Sequence, residues 1–174
     1  KKKTSWSEKS FEPPVAEWTY TGETDFDLES LNTPVQYFLR YFTDDLFQLV
    51  ADETNNYSLL TTGSIVNTSK QEMKKLVGCA IIMGNLKFPR VRMYWSQSTR
   101  IAAIADTFTC KRFFKLRHNL HVVSSREPPM GSTTKFWKVQ PIVDAVGRRC
   151  NALRLEENLC VDEQMIAFCG RMPA

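Results

Sequence analysis

No stretch of this 174-residue chain stays apolar for the roughly 18 residues that a helix needs to cross a bilayer, so no membrane partner is expected. Cys-x-x-Cys is absent as well. The five cysteines, Cys79, Cys110, Cys150, Cys160 and Cys169, are odd in number and stand apart, a pattern of reduced thiols in the cytosol or nucleus rather than of a disulfide framework. Only two histidines occur, His118 and His121, and no cysteine stands beside them to complete a tetrahedral zinc site; they read as packing or capping residues. In a reducing compartment the Asn-x-Ser matches at Asn56 and Asn67 carry no glycan. Lys1-Lys2-Lys3-Thr4-Ser5-Trp6 is followed by no apolar segment, so no signal peptide is expected in it. No initiating methionine is present, which reads as an excerpt from a longer chain. Repeats and low-complexity blocks are also missing.

What is present is a folded composition, 43% hydrophobic and 11% aromatic, with its charge strongly segregated. The net charge is −3 over residues 1–31, −3 over 32–68, +12 over 69–151 and −2 over 152–174. A section at +12 is the electrostatic footprint of a protein that meets a polyanion, with a basic solvated surface as the plain alternative. Residues 1–31 carry scattered aromatics, Pro13-Pro14 and no periodic apolar face, and read as an irregular acidic linker.

Helix signals begin at Thr33-Pro34, a capping residue followed by proline at the first helical position. Val35, Phe38, Leu39 and Phe42 follow at helical spacing. Thr43 is set to cap a second helix to about Tyr57, with Leu46, Leu49 and Val50 inward. Ser69 and Glu72 have the spacing of a capping box, and the helix they open is apolar on nearly all sides after Lys75, which predicts a central helix. Arg100–Phe108 reads as a helix. So does Cys110–His121 behind Thr109, with Phe113, Leu116 and Leu120 on one face and Lys111, Lys115 and His118 on another. The last helix spans about Lys135–Asn151, with Phe136, Val139, Val143, Val146 and Cys150 inward and Pro141 imposing a kink or a late start. Trp95 and Trp137 read as core anchors. Lys111, Arg112, Lys115, Arg117, Lys135, Lys138, Arg148 and Arg149 form the expected phosphate-facing set, because lysine and arginine neutralise phosphates without reading bases.

After Glu157 the period changes to that of a strand, Asn158–Phe168, carrying a single central acid, Asp162. A carboxylate in an apolar strand is costly unless it is paired or binds a cation, so Asp162 is the leading candidate for chemistry. Glu163 points to the opposite face. With the chain ending at Ala174, this strand reads as the opening of a further domain.

Four segments, in order, resemble the piggyBac transposase family and its domesticated, transposon-derived members. Asp52-Glu53-Thr54-Asn55-Asn56-Tyr57 resembles its glutamate-threonine-asparagine motif. Residues 83–96, from Met83-Gly84 to Tyr94-Trp95-Ser96, resemble its methionine-glycine segment. Residues 112–121, from Arg112-Phe113 to Leu120-His121, resemble its arginine-phenylalanine helix, and residues 159–171 the strand bearing its first catalytic aspartate, which Asp162 matches. Gln140 stands where the family commonly has arginine, and Ala167 and Cys169 where it has proline and lysine.

The resemblance implies a mainly α fold: a helical dimerisation and DNA-binding region over 32–157, then residues 158–174 as the first strand of an incomplete RNase H-like domain. It implies three aspartates holding two magnesium ions in an intact member, of which Asp162 alone lies here, so this chain would hold no cofactor and not be an enzyme by itself. It also implies a DNA partner, a homodimer, no small-molecule substrate and a nuclear location. The alternatives are part of an active metal-dependent transposase, or a helical protein-interaction module without DNA binding.

Overall fold

The computed structural model describes residues 33–125, 127–131, 136–154, 159, 160 and 162. Among these the fold is mainly α, with six α-helices, one 3-10 segment and no strand. The acidic segment 1–31 lies outside the described residues, as does most of the strand expected over 158–168. Leu159, Cys160 and Asp162 are exposed and belong to no regular element.

The helix starts follow the capping chemistry of the sequence. Helix α1, Pro34–Tyr41, opens with a closed capping box: Thr33 Oγ1 accepts from the Gln36 amide, and the Gln36 side chain accepts from Thr33 N. Helix α2, Asp44–Thr62, is capped by Thr43, carries Asp44 and Asp45 in its first turn, and ends on Gly63 at φ +70°, a left-handed residue that closes the helix. It runs five residues beyond the expected end at Tyr57. Helix α3, Lys70–Leu86, is capped by Ser69. A 3-10 segment, Val91–Trp95, follows, then α4, Ala102–Ala105. Helix α5, Cys110–Asn119, is capped by Thr109, and α6 is Gln140–Ala152. Pro141 sits in the first turn of α6, so proline produces a late start there rather than a kink.

Helix α2 is the hub. It packs against α3, α5 and α6, while α1 lies on α6 and α4 on the 3-10 segment. The core joins Phe47, Val50 and Ala51 of α2 to Met73, Leu76 and Cys79 of α3 and to Phe113 and Leu116 of α5; Val66, Tyr94, Ile104 and Phe108 close it. Burial pushes the Cys79 thiol up and keeps it protonated. The methionine-glycine segment earns its place structurally. Tyr94 donates its hydroxyl to Met83 O at 3.0 Å, accepts from the Phe88 amide at 3.2 Å, and stacks on the Phe88 ring. Trp95 donates Nε1 to Phe108 O at 2.6 Å and packs on Phe113.

Four expectations are corrected. The helix predicted over Arg100–Phe108 shrinks to the four residues of α4, and Ile101 offers it no capping side chain. Leu49 is exposed, and Phe47 and Ala51 point inward in its stead. Helix α3 is central but uncovered on one flank, with Ala80 exposed and Ile81 50% exposed. Most of the stripe assigned to the inside of the last helix faces outward: Phe136 is 69% and Val143 52% exposed, Val139 and Cys150 are exposed with them, and Val146 is half-buried. Helix α6 buries Ala145 and Arg149 instead. Small Ala145 allows close approach, and Ile142 joins Phe42, Leu46, Leu120 and Val122 around one apolar cavity.

Tyr94→Phe removes the hydroxyl that serves two backbone groups of the turn after α3. A loss of about 1–3 kcal/mol of unfolding free energy is expected, measured by chemical denaturation.

Candidate nucleic-acid interface

Helix α5 divides its side chains by chemistry. Phe113 and Leu116 are buried against α2 and α3, while Lys111, Lys115, Arg117 and His118 are exposed. Lys111, Lys115 and His118 recur at helical spacing and therefore form one stripe. Arg117 lies at the rim of an apolar groove lined by Leu76, Ala80, Met83, Val91, Phe113 and Leu120. Lys138 is exposed, its Nζ 5.3 Å from the centroid of the half-buried Trp137 ring, and Arg148 is exposed beside Asp45 and Asp144. Lys135 lies outside the described residues. Arg149 is only 8% exposed, inside the packing of α6.

Arg112 has a structural post. Its Nε donates to Glu72 Oε1 at 2.7 Å and its Nη2 to Glu72 Oε2 at 2.6 Å, a bidentate pair across α5 and α3. Nη1 donates to Val66 O at 2.9 Å and Nη2 to Asn67 O at 3.0 Å. Thr68 adds its hydroxyl to Glu72 Oε2 at 2.7 Å. The Arg112 guanidinium, with help from Thr68, holds the Glu72 carboxyl below its ordinary value of 4.5 against the opposing effect of burial. Ser69 caps α3 as expected, but the Glu72 carboxylate turns to Arg112 rather than closing the predicted capping box. A long-range bidentate partner outcompetes one backbone amide.

One basic residue near α5 was missed by sequence reasoning. Arg92 is exposed and lies over the Phe114 ring, its guanidinium carbon 4.9 Å from the centroid. It comes from the 3-10 segment, and nothing in its sequence spacing connects it to α5.

The histidines take part in packing. His118 Nδ1 donates to Phe114 O at 2.7 Å, one turn back on its own helix. The His121 ring stacks on Tyr57 with centroids 3.4 Å apart. Trp95 is a core anchor, and Trp137 is half-buried.

Asp162 is exposed. Among the described residues no three of His, Cys, Asp and Glu gather in a way that could hold a metal ion. A single carboxylate does not supply the octahedral oxygen set of magnesium, so the described residues do not fit a two-metal centre.

Comparison with known proteins extends this picture. Residues 33–174 match the family model described as "Transposase IS4". The chain is 28% identical over 171 residues to the human PiggyBac transposable element-derived protein 2, covering 95% of this chain. It is 26% identical over 161 residues, 91% of the chain, to the human PiggyBac transposable element-derived protein 3 and, with the same figures, to the human Chimeric ERCC6-PGBD3 protein. The chain spans about a quarter of the first two relatives, 28% and 26% of their lengths, and 15% of the third. No solved structure matches.

The lowered acidity of Glu72 has a sign. A carboxyl whose folded pKa is depressed adds stability above its unfolded value, and that stability is lost as pH falls through the folded value. Wild type is therefore expected to be more stable than Glu72→Gln at neutral pH, with the gap closing as pH falls below 4.5. Urea denaturation of both proteins across the acid range measures it. Arg112→Ala is expected to cost about 2 kcal/mol or more at neutral pH, from loss of hydrogen bonds to a charged group.

Proposed function

Because this chain belongs to the IS4-type, piggyBac-like family of transposases, we propose that it is a DNA-binding and self-associating portion of a piggyBac transposase-derived protein, not catalytic by itself. The observation that carries this reading is the outer face of α5: Lys111, Lys115 and Arg117 are exposed above a buried Phe113–Leu116 face, within a section of net charge +12. Side chains placed in this way neutralise phosphates along a duplex and position it without reading its sequence. Lys138 and Arg148, also exposed, belong to the same proposed set. Arg112 supports the interface from behind by fixing α5 to α3, and Arg149 supports it from within α6.

Self-association is supported by the exposed apolar side chains of Phe136, Val139 and Val143, which recur at helical spacing. In this reading residues 32–157 form the helical dimerisation and DNA-binding region. Residues 158–174 open an RNase H-like domain in which Asp162 is the first of three metal-binding aspartates. Two magnesium ions would then be held only with carboxylates beyond those described here. A nuclear location goes with a DNA partner. The parent protein's own activity follows the same logic: cut-and-paste chemistry needs the full carboxylate set.

Titration of duplex DNA at increasing salt tests the interface. Affinity is expected to fall steeply with salt, with little dependence on sequence. Lys111→Ala, Lys115→Ala and Arg117→Ala combined are expected to reduce the logarithmic salt slope by about 2–3, at close to 0.9 per lost phosphate contact. An unchanged slope removes this face from the interface, and salt-independent binding leaves the protein-interaction reading in its place. Calorimetric titration with magnesium is expected to show no specific site. Stoichiometric binding abolished by Asp162→Ala would overturn the non-catalytic reading.

A further inference from the structure

Several basic residues between α3 and α5 are neutralised inside the molecule. Lys70 and Lys74 pair with Asp44, Arg100 with Asp106 and Arg112 with Glu72. Lys87, Arg90 and Arg92 are different. All three are exposed, and among the described residues no carboxylate pairs with them. They cluster in the turn 87–92, from the C-terminal cap of α3 into the 3-10 segment.

This turn is fixed in place. Tyr94 ties it to α3 through Met83 O and the Phe88 amide. Two contacts set it beside α5. The Arg92 guanidinium lies over the Phe114 ring, 4.9 Å from its centroid, and Val91 lines one groove with Phe113 and Arg117. Phe114 is three residues from Lys111 and three from Arg117, so it adjoins both on the surface of α5. Arg92 is thereby set among the exposed cations of that helix.

The nature of its partner matters. A carboxylate would cancel the charge of Arg92. An aromatic ring holds the face of the guanidinium and leaves the charge whole. The N–H groups along its edge have no hydrogen-bond partner among the described residues. That planar fork of donors matches the oxygens of a phosphate. Lys87 adds a second sign. It sits at φ +52°, a left-handed position that glycine would occupy with less strain.

We propose that the turn 87–92 is a second wall of the DNA interface, with Arg92, positioned by Phe114, as its central phosphate contact. The inference rests on the reading of α5 as a DNA-binding face and extends it to an element far from α5 in sequence. Lys87 and Arg90 flank the contact and contribute charge. Such contacts hold the duplex without selecting its sequence.

Titration of the full chain with two duplexes of unrelated sequence, across a range of salt, tests it. Arg92→Ala is expected to reduce the logarithmic salt slope by about 1, equally on both duplexes. Lys87→Gly, Arg90→Ala and Arg92→Ala combined are expected to reduce it by about 2–3, at close to 0.9 per lost contact. Arg92→Lys, which keeps the charge, is expected to keep the slope. Arg92→Ala is expected to weaken binding less in a Phe114→Leu background than in the wild type, because the ring no longer positions the guanidinium. Strict additivity of those two changes would overturn the role of Phe114. A steep wild-type slope that the α5 variants lower and the turn variants leave unchanged would overturn this proposal alone. A wild type without salt-dependent DNA binding would overturn the α5 reading and this proposal with it.

Discussion

The fold depends on satisfying one stretch of irregular backbone, residues 66–68, buried at both ends. Val66 and Thr68 are buried, Asn67 sits at φ +53°, and no helix or strand serves their amides and carbonyls. Side chains from two helices do so. Ser58 accepts from Val66 N at 2.8 Å. Asn55 accepts from Thr68 N and donates to Thr68 O, both at 2.9 Å. Arg112 donates to Val66 O and Asn67 O. An unmade hydrogen bond at the buried Val66 or Thr68 groups would cost more than an ordinary bond contributes, so the three side chains are coupled through the loop they hold. The connection from α2 to α3 is thereby fixed, and α5 with it.

The glutamate-threonine-asparagine motif on α2 takes its meaning from the same demand. Thr54 exchanges hydrogen bonds with His121 backbone N and O. Glu53 accepts from the Ser124 amide, and Tyr57 stacks on His121. With Asn55 and Ser58, these residues line one long helix with partners for two separate connections. The motif works as a frame. It holds the start of α3 and the exit from α5, the two places that set where the basic face of α5 points.

Charge follows a similar division of labour. The positive section supplies an exposed stripe on α5 and, from the same helix, a guanidinium turned onto the Glu72 carboxylate. The stripe remains available to solvent because Phe113 and Leu116 on the opposite side anchor its helix. Arg112 makes its contribution through position: without the tie to Glu72, α5 would be held to α3 by apolar contacts alone on that side.

The sequence by itself determined the local starts and the family. Thr33, Thr43, Ser69 and Thr109 cap their helices because a side-chain oxygen three residues before an orphan amide is a local fact, legible without knowledge of neighbours. The buried Phe113–Leu116 face and the exposed Lys111–Lys115 face of α5 were legible for a like reason, the helical period. Other features required the assembled molecule. Which face of α6 turns inward was decided by α1 and α2, which accept Ala145 closely and leave Phe136 and Val143 outside. The use of the Phe108 carbonyl by Trp95, 13 residues away, is likewise a tertiary contact. That Arg112 is a clamp and Arg92 a neighbour of α5 was decided by contacts across 40 residues in one case and with Phe114 in the other. Capping and periodicity act within one or two turns of chain; partner choice among equivalent charges and equivalent apolar faces is a competition between distant groups, and only packing resolves it.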